Sequence, residues 1–340
     1  MQKSPPLSSK SPITIAILAL DGAIYSSIIG PMDVFSVANA LQTASGKQEF
    51  ARVNILRGGR RLPLSFNRLS IHTHGRIQDT DRFDVVILPA MLYEDQDRKE
   101  TFPVPASPQL VPWLRRQHAT GACLTSVCAG AFLLAQTGLL DGRAATTHWN
   151  LADQFAASYP RVRLQARKML VDERDLITAG GVTAYFDLAL YLVRKFGSSE
   201  LAAACSKFLL IDPRRSSQHP YQAGQFQKSH ADEPILALQE YMEHHYTESL
   251  VLAQLANIAG LEQRTLLRRF RSATGDSPIV YLQRLRIEAA RRQLELSASN
   301  IDQIAGQVGY ENTSSFVRLF KKMTGMTPGS YRKRFSLAVI

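Results

Sequence analysis

The C-terminal quarter of the chain is one sequence written twice. "LANIAGLEQRTLLRRFRSATGDSPIVYLQRLR" and "IAGQVGYENTSSFVRLFKKMTGMTPGSYRKRF" share their landmarks. Ala256 and Ala305 are 49 positions apart, as are Gly260 and Gly309, while Phe270 and Phe320, Gly275 and Gly325, Pro278 and Pro328, and Tyr281 and Tyr331 are 50 apart. One inserted residue between glycine and phenylalanine accounts for the change of interval. A repeat of this kind means one supersecondary unit used twice. Each copy reads as a short helix, a glycine turn and a second helix. That is the helix-turn-helix plan, whose second helix enters the DNA major groove.

The helical period sorts the second helices into faces. Leu266 and Phe270, and Phe316 and Phe320, stand at i, i+4 and are expected in the core. Another face carries Gln263, Arg264, Leu267 and Arg268 in the first copy, and Asn312, Thr313, Ser314 and Arg318 in the second. Arg can bind guanine, and Asn adenine, in a bidentate way, so these eight are the candidate base-reading residues. Arg269, Arg271, Lys321, Lys322 and Arg332 are candidate phosphate contacts, which position without specifying. Charge agrees. From Leu261 onward 14 Lys/Arg face 6 Asp/Glu, a net of +8 out of +11 for the whole chain. A basic terminal module is the electrostatic footprint of a double-stranded DNA partner.

The first 200 residues have a different rhythm. "ITIAILAL", "ARVNILRG", "FDVVILPA" and "ACLTSV" read as strands, the continuous apolar ones buried on both faces. "IGPMDVFSVANAL", "SPQLVPWLRRQHATG" (capped at Ser107), "AGAFLLAQTG", "NLADQFAASYP" and "VTAYFDLALYLVRKFG" read as helices. "KMLVDERDLITAGG" reads as a hairpin or two strands. Strands alternating with helices imply a parallel sheet covered on both faces, an α/β domain over residues 12–210. Residues 1–11 read as a disordered Pro/Ser-rich tail. Residues 211–232 are polar without an apolar period and read as a linker, with the helical domain over 233–335.

One corner carries chemistry. "SVCAG" has the order of a nucleophile elbow, strand, tight turn, exposed nucleophile, helix, with Cys128 at the turn. A helix N-terminus lowers a thiol's pKa, and His148 in "ATTHW" is a possible base. The alternative for Cys128 is a small packed hydrophobe, as for Cys123 and Cys205. Trp149 is either a stacking surface for a ligand or a packing residue. His72 and His74 could chelate from one strand face, but nothing else supplies ligands, so neither a metal nor a cofactor is expected. Three cysteines, no signal-peptide order and no long apolar run fit a reducing cytoplasmic compartment and no membrane partner.

On these residues the chain resembles known families. "LLRRFRSATGDSP" and "IAGQVGYENTSSFVRLFKKMTGMTPGSYR" resemble the AraC/XylS-type DNA-binding domain. The resemblance implies two reading helices joined by the helix in "SPIVYLQRLRIEAARRQLELS", entering successive major grooves about 34 Å apart. "GPMDVF", "VVILPA", "TSVCAGAFLLAQTGLLDGRAATTHW" and "LITAGGVTAYFDLALYLV" resemble the ThiJ/PfpI class, a flavodoxin-like, class I glutamine-amidotransferase-like fold. Together they resemble the GlxA-like group of AraC-type regulators, which implies a promoter-binding homodimer that meets RNA polymerase. Enzymes of the ThiJ/PfpI class pair the elbow cysteine with a Glu where this chain has Ser27, and carry Gly-Gly where it has Ala90-Met91. The expectation is therefore a degenerate, non-catalytic elbow that binds a small effector such as an amino acid or amine. Its candidate residues are Ser27, Ala90, Met91, Cys128, Ala129, His148 and Trp149, at the carboxyl ends of strands. Cysteine-dependent hydrolysis or hydration, and redox sensing through Cys128, are the alternatives.

Overall fold

The structure, a computed structural model, describes residues 12–92, 107–213, 215–222, 226, 228 and 230–337. The tail expected at 1–11 lies outside them, as does part of the 211–232 linker. Internal contacts divide the chain into two units, 1–218 and 219–340.

In the first unit β1 (Ile13–Ala19), β2 (Ala51–Arg57), β3 (Gly75–Arg76), β4 (Val85–Leu88), β5 (Cys123–Val127), β8 (Leu170–Asp172) and β9 (Leu176–Ala179) form one sheet. Its order is β3-β2-β1-β4-β5-β9-β8. Every pairing is parallel except β8 with β9, the predicted hairpin. β1 is flanked by β2 and β4, with Ile15 opposite both Val53 and Val85. Its central residues are sealed on both faces, as Ile15 to Ala19 at 0% exposure show. β6 (Ala144–Ala145) and β7 (Arg163–Leu164) form a separate parallel ribbon. So "ATTHW" does not belong to the main sheet.

The covering helices are α1 (Ser26–Ala44), α2 (Leu110–Ala119), α3 (Gly130–Gln136), α4 (Ala152–Ser158), α5 (Ala184–Leu192) and α6 (Ser199–Phe208). Three expectations are corrected. α1 starts before "IGPMDVF" and carries Pro31 inside it, so Ser27 stands in a first helical turn rather than at a strand end. α2 begins after Gln109 with no side-chain cap, because the Ser107 hydroxyl donates to the Gly58 carbonyl at 3.2 Å. Gly197 is the last residue of a wide turn, Val193–Gly197, that continues α5.

The second unit is helical: α7 (Glu233–His245), α8 (Leu252–Ile258), α9 (Gln263–Thr274), α10 (Pro278–Leu296), α11 (Ile301–Gln307), α12 (Thr313–Thr324) and α13 (Pro328–Phe335). The repeat is visible in its details. α9 and α12 both end on a left-handed glycine, Gly275 at φ 80° and Gly325 at φ 78°. Thr274 and Thr324 donate to the Phe270 and Phe320 carbonyls, each at 2.8 Å. Each copy has its own core. Leu266 and Phe270 lie in the first, Phe316 and Phe320 in the second. α10 serves both, giving Tyr281, Leu282 and Leu285 to one and Ile287, Ala290 and Leu294 to the other. No described helix is long and apolar enough to cross a membrane.

Candidate functional site

Each copy turns between its two helices on a glycine. Gly260 (φ 62°) and Gly309 (φ 86°) sit in the left-handed region that side chains avoid. Their surroundings differ. A Cβ on Gly260 would meet open space, but one on Gly309 would lie 2.6 Å from the Thr247 carbonyl oxygen.

The turn aims α9 and α12 outward. Gln263, Arg264, Leu267 and Arg268 are all exposed, with Leu266 and Phe270 fully buried behind them. Neither Arg264 nor Arg268 has a hydrogen bond or ion pair among the described residues. On α12, Ser314 and Arg318 are exposed and Thr313 is half-buried. Asn312 differs from its predicted role. It caps α12, its Oδ1 accepting from the Ser315 N–H at 2.8 Å, so the oxygen needed for a bidentate adenine contact is already engaged.

The phosphate candidates also divide. Arg271, Lys321 and Lys322 are exposed. Arg269 turns back on its own unit, donating from Nε and Nη2 to Asp232 at 2.9 and 2.7 Å. Asp232 caps α7, and the pairing holds its carboxyl below the usual range. Arg332 donates to the Ser299 carbonyl. Both guanidinium groups are committed to the fold. Arg271→Ala and Lys321→Ala are each expected to reduce the slope of log affinity against log salt by about 1. Arg269→Ala should leave that slope unchanged and lower the midpoint of thermal unfolding. A slope that falls with Arg269→Ala would place it on the DNA.

In the first unit the corner at Cys128 has elbow geometry. Cys128 has φ 56°, a conformation that costs an L-residue about 1–2 kcal/mol. It is fixed from two sides: its N–H donates to the Ala179 carbonyl at 2.8 Å, and its carbonyl accepts from the Thr147 hydroxyl at 2.9 Å. Ser27 and Ala90 are brought together, the Ser27 hydroxyl accepting from the Ala90 N–H at 2.9 Å and donating to the Ile24 carbonyl at 2.6 Å. Ser27, Ala90, Cys128 and Ala129 are buried, and Cys128 is only 4% exposed. Cys123 is a packed thiol whose pKa burial pushes up to about 12, and Cys205 is buried in α6.

His148 and Trp149 follow β6 with their rings 5.5 Å apart. Nδ1 of His148 accepts from the Asn150 N–H at 3.1 Å, and burial lowers the pKa of the ring from 6.5, so it is neutral at physiological pH. The unfolded chain then binds the extra proton first. The stability contributed by neutral His148 is complete above pH 6.5 and falls as pH drops toward the lowered value. His148→Gln should flatten unfolding free energy against pH just below 6.5; identical profiles would show that the ring titrates normally.

A residue that no motif announced lies beside them. Gln218, 2% exposed, donates from Nε2 to the Thr147 carbonyl at 2.8 Å and accepts from the Trp149 N–H at 3.2 Å. Gly180 makes room for it; a Cβ there would stand 2.2 Å from the Gln218 amide. Part of the stretch read as linker is thus an anchor of the first unit.

A cavity of about 560 Å³ opens at the ends of β1 and β2, lined by Leu20, Asp21, Arg57, Arg60, Arg61 and Met91 among others. Of the seven candidate effector residues it touches only Met91. No group of three or more metal-ligating side chains occurs among the described residues, and His74 Nδ1 accepts from the Ile55 N–H at 2.9 Å.

A mostly parallel α/β sheet with a strained elbow cysteine, followed by a duplicated helix-turn-helix, defines a class. A model of the DJ-1/PfpI family matches residues 14–195, and one of a helix-turn-helix domain matches 255–334. The chain belongs to the DJ-1/PfpI family and carries an AraC-type helix-turn-helix domain behind it. It is 28% identical to the HTH-type transcriptional regulator CdhR of Pseudomonas aeruginosa, over 93% of this chain and 90% of that protein. It is 29% identical to the HTH-type transcriptional regulator GlxA of Rhizobium meliloti, over 65% of this chain and 68% of that one. A crystal structure of a Vibrio parahaemolyticus protein covers 58% of this chain at a TM-score of 0.50 and 19% identity, a likeness of fold alone.

Proposed function

We propose that this protein is a sequence-specific DNA-binding transcriptional regulator whose first unit senses a small molecule. The observation that carries the reading is the duplicated helix-turn-helix, whose first copy presents Arg264 and Arg268 on an exposed helical face with no hydrogen bond or ion pair among the described residues. The regulator names of its relatives CdhR and GlxA support it. Base reading is assigned to Gln263, Arg264, Leu267 and Arg268 in the first copy and to Thr313, Ser314 and Arg318 in the second. We place the protein in the cytoplasm as a homodimer, with RNA polymerase as a further partner.

Selection of duplexes from a random pool by the full-length protein tests this. Enrichment of a bipartite motif with subsites about one helical turn apart is expected. Retention of all sequences alike would overturn it.

A second reading, cysteine-dependent turnover, has the strained Cys128 in its favour. Against it, Ser27 stands where the partner carboxylate is needed and is tied to Ile24 and Ala90. Metabolite turnover that disappears in Cys128→Ala would establish it.

A further inference from the structure

α10 is one connection between the two helix-turn-helix copies, and a second lies across it. The turn that leaves α7, Tyr246 to Glu248, leads into α8 and so into the first copy. It packs on the second copy. Tyr246 lies against both cores. Gly309, in the turn of the second copy, comes so near that a Cβ on it would stand 2.6 Å from the Thr247 carbonyl oxygen and 3.0 Å from the Thr247 Cα. The matching glycine of the first copy, Gly260, faces open space. The repeat is thus broken where the copies meet.

Arg286 supplies the tie. It stands on α10 between Leu285 of the first core and Ile287 of the second. Its Nε donates to the Tyr246 carbonyl and its Nη2 to the Glu248 carbonyl, both at 2.7 Å. Its guanidinium carbon lies 5.2 Å from the centre of the ring of Tyr310, the residue that follows Gly309. A planar fork with fixed donors, set over an aromatic face, holds one geometry where a lysine would not. One side chain gathers the linking helix, the turn before α8 and the turn before α12.

We propose that Arg286 is a positioning residue for promoter recognition. With Gly309 it keeps the two copies from rocking on α10, so that α9 and α12 present a fixed pair of faces before DNA arrives. The proposal rests on the reading of α9 and α12 as DNA readers. Arg286 acts through the two copies and not on a base. Two linked modules gain from each other only as far as their geometry lets both engage at once. A joint fixed in advance also removes the ordering cost at binding. A loose joint would leave each subsite readable and lose the gain of reading two.

The test uses the full-length protein, the selected bipartite duplex, and two duplexes with one subsite scrambled. Arg286→Ala is expected to shrink the affinity gained from the second subsite about 10-fold, and Arg286→Lys to recover little of it. The slope of log affinity against log salt should not change, because the side chain neutralises no phosphate. Gly309→Ala should shrink the gain in the same way by forcing the Thr247 carbonyl aside. Gly260→Ala, also at a positive φ but unobstructed, should keep it. Melting curves confirm that each variant folds. A readout without DNA accompanies these: the distance between spin labels on Ser272→Cys and Lys322→Cys, at exposed positions of α9 and α12, the three native cysteines being buried. Labelled protein is diluted with unlabelled so that only distances within one chain count. The distribution should be narrow with Arg286 in place, and broaden in Arg286→Ala and Gly309→Ala but not in Gly260→Ala. An undiminished gain in both Arg286→Ala and Gly309→Ala would overturn the proposal, whatever the distances show. So would a salt slope reduced by about 1 in Arg286→Ala, the mark of a phosphate contact. An equal loss in Gly260→Ala would trace the effect to strain in the turn, and distances unbroadened in both variants would remove the joint. A wild-type protein that holds all duplexes alike would defeat the regulator reading, and the distances would then decide the joint alone.

Discussion

Alanine at both Arg264 and Arg268 is expected to abolish selective binding to the operator while leaving the protein folded. Each arginine placed on a guanine is worth about 1–3 kcal/mol of discrimination, roughly 5- to 150-fold, and the two lie on separate turns of one helix face. Both are exposed and neither holds anything else in place among the described residues. Truncation therefore carries no internal cost, unlike truncation of Arg269, and on the proposed assignment removes only a contact to DNA. Arg318→Ala should act alike in the second copy, relaxing the sequence preference of that subsite. The measurement is competition between the selected duplex and random DNA at fixed salt, with melting curves alongside. Unchanged selectivity in both the Arg264/Arg268 and Arg318 variants would remove α9 and α12 as the reading helices.

Phe320→Ala should unfold the helical unit or bring it close to unfolding. Phe320 has no exposed surface and packs 5.7 Å from Phe316 and 5.4 Å, edge to face, from Tyr331. Removing a buried phenylalanine costs about 3–5 kcal/mol, a large share of the roughly 5–15 kcal/mol available to a domain. The two tryptophans, Trp113 and Trp149, both belong to the first unit, so their emission reports that unit while far-ultraviolet dichroism weights the helices. Urea titration followed both ways should show the helical signal shifted to lower denaturant. A loss below about 1 kcal/mol would mean that the second core tolerates a cavity at its centre.

The repeated unit was legible because its constraints are local. A glycine at each turn, a proline at the next helix start and aromatic residues at helical spacing fix both copies without reference to distant residues. The elbow was legible for the same reason, and Cys128 does adopt the left-handed conformation that its motif requires. What escaped was decided across the fold. Gln218 is buried because remote carbonyls and Gly180 receive it, and nothing nearby in sequence signals that. Arg269 looks like any cation on a basic helix until Asp232 is seen against it. A cap could have been suspected for Asn312, since Asn before a helical run is a start signal. The cavity at the ends of β1 and β2 leaves no mark in the sequence, because Arg57 belongs to no motif.

α10 has a consequence for how target promoters can change. Its 19 residues span about 28 Å and contribute to both helix-turn-helix cores, so on the proposed assignment the distance and the twist between the two readers are set by one continuous helix. Base changes within a subsite are then graded faults, each weakening one contact. A single base pair inserted between the subsites is a fault of another kind. It rotates one against the other by about 34°, and α10 has no loop with which to follow. The sites this regulator controls are free to drift in letters, and bound to keep their spacing.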